Sequence, residues 1–242
     1  MTLTTTHLAT TDPELAAIAD RFADDVEREA PLDPRLRALL RVAAVVATGG
    51  TAVLRVEIED TLAAGATPVE LKEVLYQAVP YVGLGRAVDA LVVANELLAD
   101  REVELPLPGQ ATVTRETRAA DGLAVQQRIV GGDAVDAMYA GAPADEQHVQ
   151  RYLSAHCFGD HYTRGGLDLR TRELVTLALL VALGGADPQV AGHVRMNVNV
   201  GNDRATLVAV LTQLLPVVGY PRTLNALRAV DDVAPLSPEE ES

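Results

Sequence analysis

Residues 32–50, LDPRLRALLRVAAVVATGG, return as residues 167–185, LDLRTRELVTLALLVALGG, with ten of 19 positions identical. Farther along, residues 65–91 (GATPVELKEVLYQAVPYVGLGRAVDAL) return as 201–227 (GNDRATLVAVLTQLLPVVGYPRTLNAL) with eleven of 27 identical. The copies lie 135 residues apart in the first block and 136 in the second, which puts a single-residue insertion or deletion between Gly50 and Gly65. Blocks that keep both order and spacing mark a tandem duplication.

Each block reads as helix. Asp33-Pro34 and Thr67-Pro68-Val69-Glu70 place an N-cap residue before a proline at the first helical position, and Glu70 completes a capping box. Gly49, Gly65, Gly185 and Gly201 follow apolar-periodic segments, where a left-handed residue ends a helix. No segment alternates as a strand does. The expected helices are 12–29, 34–48, 52–64, 68–80, 84–102, 114–130, 143–158, 168–184, 187–200, 203–217 and 221–231. The Pro-rich run Glu104-Leu-Pro-Leu-Pro-Gly-Gln110 divides the chain into an N-terminal repeat, 1–105, and a C-terminal repeat, 106–242. The fold class is all-α: two tandem multi-helix repeats that cover each other's apolar faces as a pseudo-dimer.

Composition narrows the function. Hydrophobic residues make up 48% of the chain but aromatics only 3%, so the core is built from Ala, Val and Leu. The formal charge of −14 repels phosphate backbones and anionic headgroups, which argues against nucleic acid and membrane surfaces as partners. The single cysteine, Cys157, admits no intrachain disulfide, and no Cys/His spacing suggests a metal site. The start shows no basic segment followed by an apolar run, so a cytoplasmic protein is expected. The residues before Thr11 and the acidic tail from Pro238 carry no expected chemistry.

The pattern Leu167-Asp-Leu-Arg-Thr-Arg-Glu-Leu-Val-Thr-Leu-Ala, then Ala-Leu-Gly-Gly, His193, Gly201 and Gly219-Tyr-Pro-Arg-Thr-Leu-Asn225, resembles the carboxymuconolactone decarboxylase family, as does the lead-in Phe158-Gly-Asp-His-Tyr-Thr-Arg164. The resemblance covers 150–231 well and 32–102 less tightly. In the alkylhydroperoxidase D-like members of the same superfamily, a Cys-x-x-Cys is followed four residues later by histidine. Here Ala186 and Gln189 stand at the two cysteine positions while His193 is kept, so dithiol chemistry has no thiols to run on.

The resemblance implies a cofactor-independent lyase or isomerase that decarboxylates, or moves a proton on, a small conjugated acid or lactone. A relative recruited to tailor another metabolite fits the same residues. His193 and Glu173 are the implied catalytic residues, His193 as proton donor or acceptor because its ordinary pKa lies near working pH. Glu173 falls where the redox relatives keep a glutamate, although an acid in a first turn also complements the helix dipole. The expected ligand is anionic, held by a cation among Arg195, Arg172 and Arg222, with Asp160, His161, Tyr162 and Asn225 as further contacts. Arg37 and Arg172, like Arg86 and Arg222, recur in both copies, which also suits salt bridging between helices. The first repeat carries Glu57 or Ile58 opposite His193, depending on where the indel falls, and is read as structural.

Two other classes remain: a non-catalytic binding or assembly module, and, last, a thiol peroxidase or reductase using Cys157. Single-repeat relatives form rings of dimers, which implies a homo-oligomer here.

Overall fold

The computed structural model describes residues 8–236, so the acidic tail and most of the stretch before Thr11 lie outside the described residues. The described residues form helices joined by turns and loops: α1 (Pro13–Glu29), α2 (Pro34–Thr48), α3 (Thr51–Ala63), α4 (Pro68–Val82), α5 (Leu84–Asp100), α6 (Arg118–Val130), α7 (Gly132–Gly141), α8 (Gln147–Tyr152), a π-helix π1 (Leu153–Tyr162), α9 (Leu169–Leu183), α10 (Asp187–Asn199), α11 (Arg204–Val218) and α12 (Tyr220–Val233). The described residues contain no strand.

The helix boundaries locate the indel. Helix α9 repeats α2 at a spacing of 135, whereas α10 and α11 repeat α3 and α4 at 136. The extra residue therefore sits in one turn, Gly49-Gly50 in the first copy and Gly184-Gly185-Ala186 in the second. Glu57, not Ile58, is the counterpart of His193.

The start signals act as the local chemistry requires. The Asp33 carboxylate accepts from Leu36 N–H, and Thr67 with Glu70 forms a complete capping box. Gly49 ends α2 in the left-handed conformation, at φ 79°.

The two copies of the opening stretch, α2 and α9, pack against each other at the centre. Nearly every residue from Ala38 to Ala47 is buried in α2, and every residue from Arg172 to Ala182 in α9. A helix buried on all sides belongs in an interior, and alanines such as Ala43, Ala47 and Ala178 let the backbones approach. A single apolar cluster runs through both repeats, with each buried Leu or Val side chain contributing about 1.5–3 kcal/mol. The repeats also trade elements: α4 packs on α9 and π1, while α11 packs on α2 and α1.

The segment between the repeats departs from expectation. Helix α7 was not foreseen, because it is short and bracketed by glycines, and residues 143–158 are not one α-helix. They give way to π1, whose last turn closes with Thr163 N–H donating to the Phe158 carbonyl five residues back. Asp160 and His161 therefore stand on a helix. The wide turn lies against α6 at a glycine contact: a Cβ on Gly122 would overlap the Ser154 carbonyl oxygen, and one on Gly159 would overlap that of Arg118.

Candidate functional site

Helix α9 carries Glu173 just past its first turn, so the expected first-turn acid is absent, and α10 carries His193 on the face turned toward it. His193 Nδ1 lies 2.8 Å from Glu173 Oε2. A carboxylate oxygen can only accept, so Nδ1 holds the proton and Nε2 is the nitrogen left for a ligand. Asn197, one turn beyond His193, donates to the carbonyls of both Glu173 (3.1 Å) and His193 (2.8 Å), and Asn202 donates to its amide oxygen. These bonds tie α10 to α9 and fix the imidazole. Glu173 is fully buried, and its Oε1 has no partner.

A second polar line reaches the same place from the first repeat. Arg172, fully buried, donates to Glu73 Oε2 (3.0 Å) and to Gln77 Oε1 (3.0 Å), both on α4. Burial lowers the Arg172 pKa and the Glu73 carboxylate opposes that shift. With its oxygen engaged, Gln77 turns its amide nitrogen to Thr176 Oγ1 (3.3 Å). Thr176 meets the Tyr162 hydroxyl at 2.8 Å, and Tyr162 meets the Tyr81 hydroxyl at 3.1 Å. Where each hydroxyl accepts from one side and donates to the next, the sense set at Arg172 ends with Tyr81 O–H as donor. Its remaining neighbour is Cys157 Sγ at 3.6 Å, a weak acceptor. Burial pushes both phenol pKa values well above their ordinary range and that of the Cys157 thiol up to about 12, so all three stay protonated at neutral pH.

Between these lines lies a cavity of about 420 Å³. Its apolar walls include Val130, Leu153, Phe158, Leu180 and Met196, and Pro80 and Tyr81 close it from α4. The Tyr81 and His193 rings meet edge-on, centroids 5.7 Å apart. Gln126 of α6 also lines it: fully buried, it accepts from Ser154 through Oε1, while its Nε2 has no partner. No lysine or arginine lines this cavity among the described residues. Nor do those residues hold a group of three or more His, Cys, Asp and Glu suited to a metal ion.

The first repeat has the counterpart, a cavity of about 440 Å³ lined by Phe22, Arg41, Val45, Glu57, Pro216 and Tyr220. Pro216 and Val217 of α11 stand where Pro80 and Tyr81 stand in the other. Ala38 replaces Glu173 and Arg41 replaces Thr176, and Arg41 grips Glu57 through Nε (2.9 Å) and Nη2 (2.6 Å). An Arg–Glu pair thus replaces the imidazole and the hydroxyl relay.

Of the residues singled out from sequence, His193, Glu173 and Tyr162 come together here. The others sit elsewhere. Asp160 pairs with Arg118 and His156 on the outer side of π1. His161 packs edge-on against His156 with its Nδ1 buried and unpartnered, and burial, with His156 beside it, lowers its pKa to about 4. Arg195 and Asn225 are exposed, the latter 3.5 Å from Asp187. Arg222 lies over Gly184, where a Cβ would come within 2.8 Å of its Nε. Arg172 and Arg37 make the interhelical ion pairs expected of shared arginines, with Glu73 and Glu27, whereas Arg86 donates to the Ala47 carbonyl. Sequence reasoning missed Tyr81, Gln126 and Asn197. For Tyr81 a signal was present: an aromatic hydroxyl stands where the other copy has Val217.

Comparison with known proteins agrees with this architecture. The model of the carboxymuconolactone decarboxylase family matches twice, over residues 13–96 and 147–232. The chain is also similar to 4-carboxymuconolactone decarboxylase of Acinetobacter baylyi, 29% identical over 118 residues that cover 49% of this chain and 87% of that protein. With its two copies packed face to face and the imidazole kept in the second, the chain belongs to the carboxymuconolactone decarboxylase family.

Proposed function

We propose that the cavity at His193 is the active site of a cofactor-independent lyase or isomerase acting on a small conjugated acid or lactone. The observation that carries the reading is the Glu173–His193 pair at the wall of a cavity large enough for a five- or six-membered ring with substituents. Chemistry beside a conjugated carbonyl needs a group that takes or gives a proton at carbon and a donor for the oxygen on which charge develops. His193 Nε2 supplies the first, with Glu173 holding the tautomer and stabilising the imidazolium, and the Tyr81 hydroxyl supplies the second. In a decarboxylation, the electron pair of the breaking C–C bond enters the carbonyl system as carbon dioxide leaves, and His193, entering the step as imidazolium with a proton taken from water at Nε2, protonates the carbon. In an isomerisation, the same imidazole removes a proton and returns it at a second carbon.

Two further readings weigh less. A thiol peroxidase would need a thiolate, and Cys157 is held protonated. A binding module would give ligand capture without exchange.

The test is a panel of small conjugated acids and enol lactones, γ-carboxymuconolactone among them, incubated in heavy water and followed by mass spectrometry. Loss of carbon dioxide or uptake of deuterium that disappears in His193→Gln is expected. Wild type and variant behaving alike across the panel would refute the assignment.

A further inference from the structure

Resting on the proton-transfer reading of His193, we infer that the substrate of this site is a neutral unsaturated lactone or enone, and that the reaction is a shift of its double bond. The polar groups facing the cavity specify such a molecule. One is a donor lacking a strong acceptor, Tyr81 O–H, which has a thiol sulfur beside it. One is an acceptor, His193 Nε2. A buried donor without a strong partner costs about 1–3 kcal/mol, so the fitting ligand brings an oxygen acceptor for the Tyr81 hydroxyl and an acidic C–H for the imidazole. A lactone or enone carries that oxygen beside the acidic C–H.

Charge excludes the carboxylate that the sequence reading anticipated. In the form that takes up a proton His193 is neutral, and the buried group behind it is a carboxylate. An anion entering an apolar cavity against that charge, with no cation on the wall, would lose its hydration without compensation. The fold is able to place a guanidinium at this level: the counterpart cavity carries Arg41 at the position of Thr176. Here the guanidinium at the head of the relay, Arg172, is bound to Glu73 and acts only through Gln77, Thr176, Tyr162 and Tyr81. That relay polarises an oxygen without bringing a charge into the cavity.

The step balances with no oxidant or second reactant. His193 Nε2 removes a proton from the carbon between the carbonyl and an isolated double bond. The C–H electron pair forms a new double bond to the carbonyl carbon, and the charge moves onto the oxygen facing Tyr81. The dienolate then takes the proton back at the far carbon, leaving the double bond in conjugation with the carbonyl.

α-Angelica lactone, a neutral β,γ-unsaturated ring, and the same ring carrying a carboxylate on its methyl group make a matched pair. The conjugated product is read by ultraviolet absorbance, deuterium uptake at the far carbon by mass spectrometry, and binding by ligand-observed NMR. The expected result is a kcat/KM at least tenfold higher for the neutral ring, a ten- to hundredfold drop with Tyr81→Phe, and a swing toward the carboxylate with Gln189→Arg, which puts a cation at the cavity mouth. Equal or faster turnover of the carboxylate would overturn the inference while leaving proton transfer at His193 intact. Binding of the neutral ring with no deuterium uptake would overturn the proton-transfer reading and the isomerase with it. No binding of either ring, in protein whose melting shows it folded, would overturn both.

Discussion

Tyr81 of the N-terminal repeat meets His193 of the C-terminal repeat edge-on, their ring centroids 5.7 Å apart. The hydroxyl ends a relay while the ring packs on the imidazole, so the two roles can be separated. Tyr81→Phe keeps the packing and removes the donor. Loss of one hydrogen bond to a developing charge is worth about 1.5–3 kcal/mol, so kcat/KM is expected to fall by ten- to a hundredfold with the melting temperature nearly unchanged. Steady-state kinetics and thermal melts of the same preparation check it.

Glu173→Gln keeps the volume but removes the charge that favours the imidazolium. Activity should fall by about 10²–10⁴-fold, the range for loss of general acid–base assistance, and the rise of rate with pH should move. A pH–rate profile that merely scales down, keeping its shape, would show that Glu173 only packs against the ring.

The buried charges linking the repeats should dominate stability. Glu73 answers both Arg172 and Arg164, and Glu73→Ala strands Arg172 in the interior, which costs about 3–5 kcal/mol. Adding Arg172→Met to it should recover more than half of that loss. Urea denaturation of the single and double variants measures the coupling.

Gly122→Ala tests the glycine contact between α6 and π1. The new methyl group must push backbone aside, and not merely a side chain, so a loss of about 3 kcal/mol or more is expected, at or beyond the upper end of ordinary overpacking. A circular-dichroism melt is sufficient to detect it.

His161 gives a pH dependence with a definite sign. Its folded pKa, near 4, lies below the ordinary 6.5 because burial, and then His156, disfavour the charged ring. Between those values the unfolded chain binds the extra proton, so stability declines as pH falls through that window and levels off below it. His161→Gln lacks this term, and its advantage over the wild type should grow from pH 6.5 toward pH 4 in parallel melts.

Much of this was legible in the amino-acid order. The duplication, the caps at Asp33 and Thr67 and the all-helical class follow from local rules. His193 and Glu173 stood out because they fall where the resembling family and its redox relatives keep a histidine and a glutamate. What resisted reading is tertiary. Tyr81 and Gln126 reach the cavity from other elements, 112 and 67 residues before His193 in the chain. The π-helix depends on a glycine contact with a helix some thirty residues earlier, which no local propensity records. The arginines looked available for a ligand because sequence displays charge and hides its partner: Arg172 is taken by Glu73 of the other repeat.

The exchange of α4 and α11 between the two halves has a bearing on descent. In a pair of identical subunits every substitution is made twice, and a change that improves one cavity is forced on the other. Joined in one chain, the copies are released from that constraint: Tyr81 could arise opposite His193 while Val217 stayed opposite Glu57. Because each cavity takes a wall from the opposite copy, neither half can be inherited alone with its chemistry intact. The linkage that freed the two sites to diverge also binds them to a common fate.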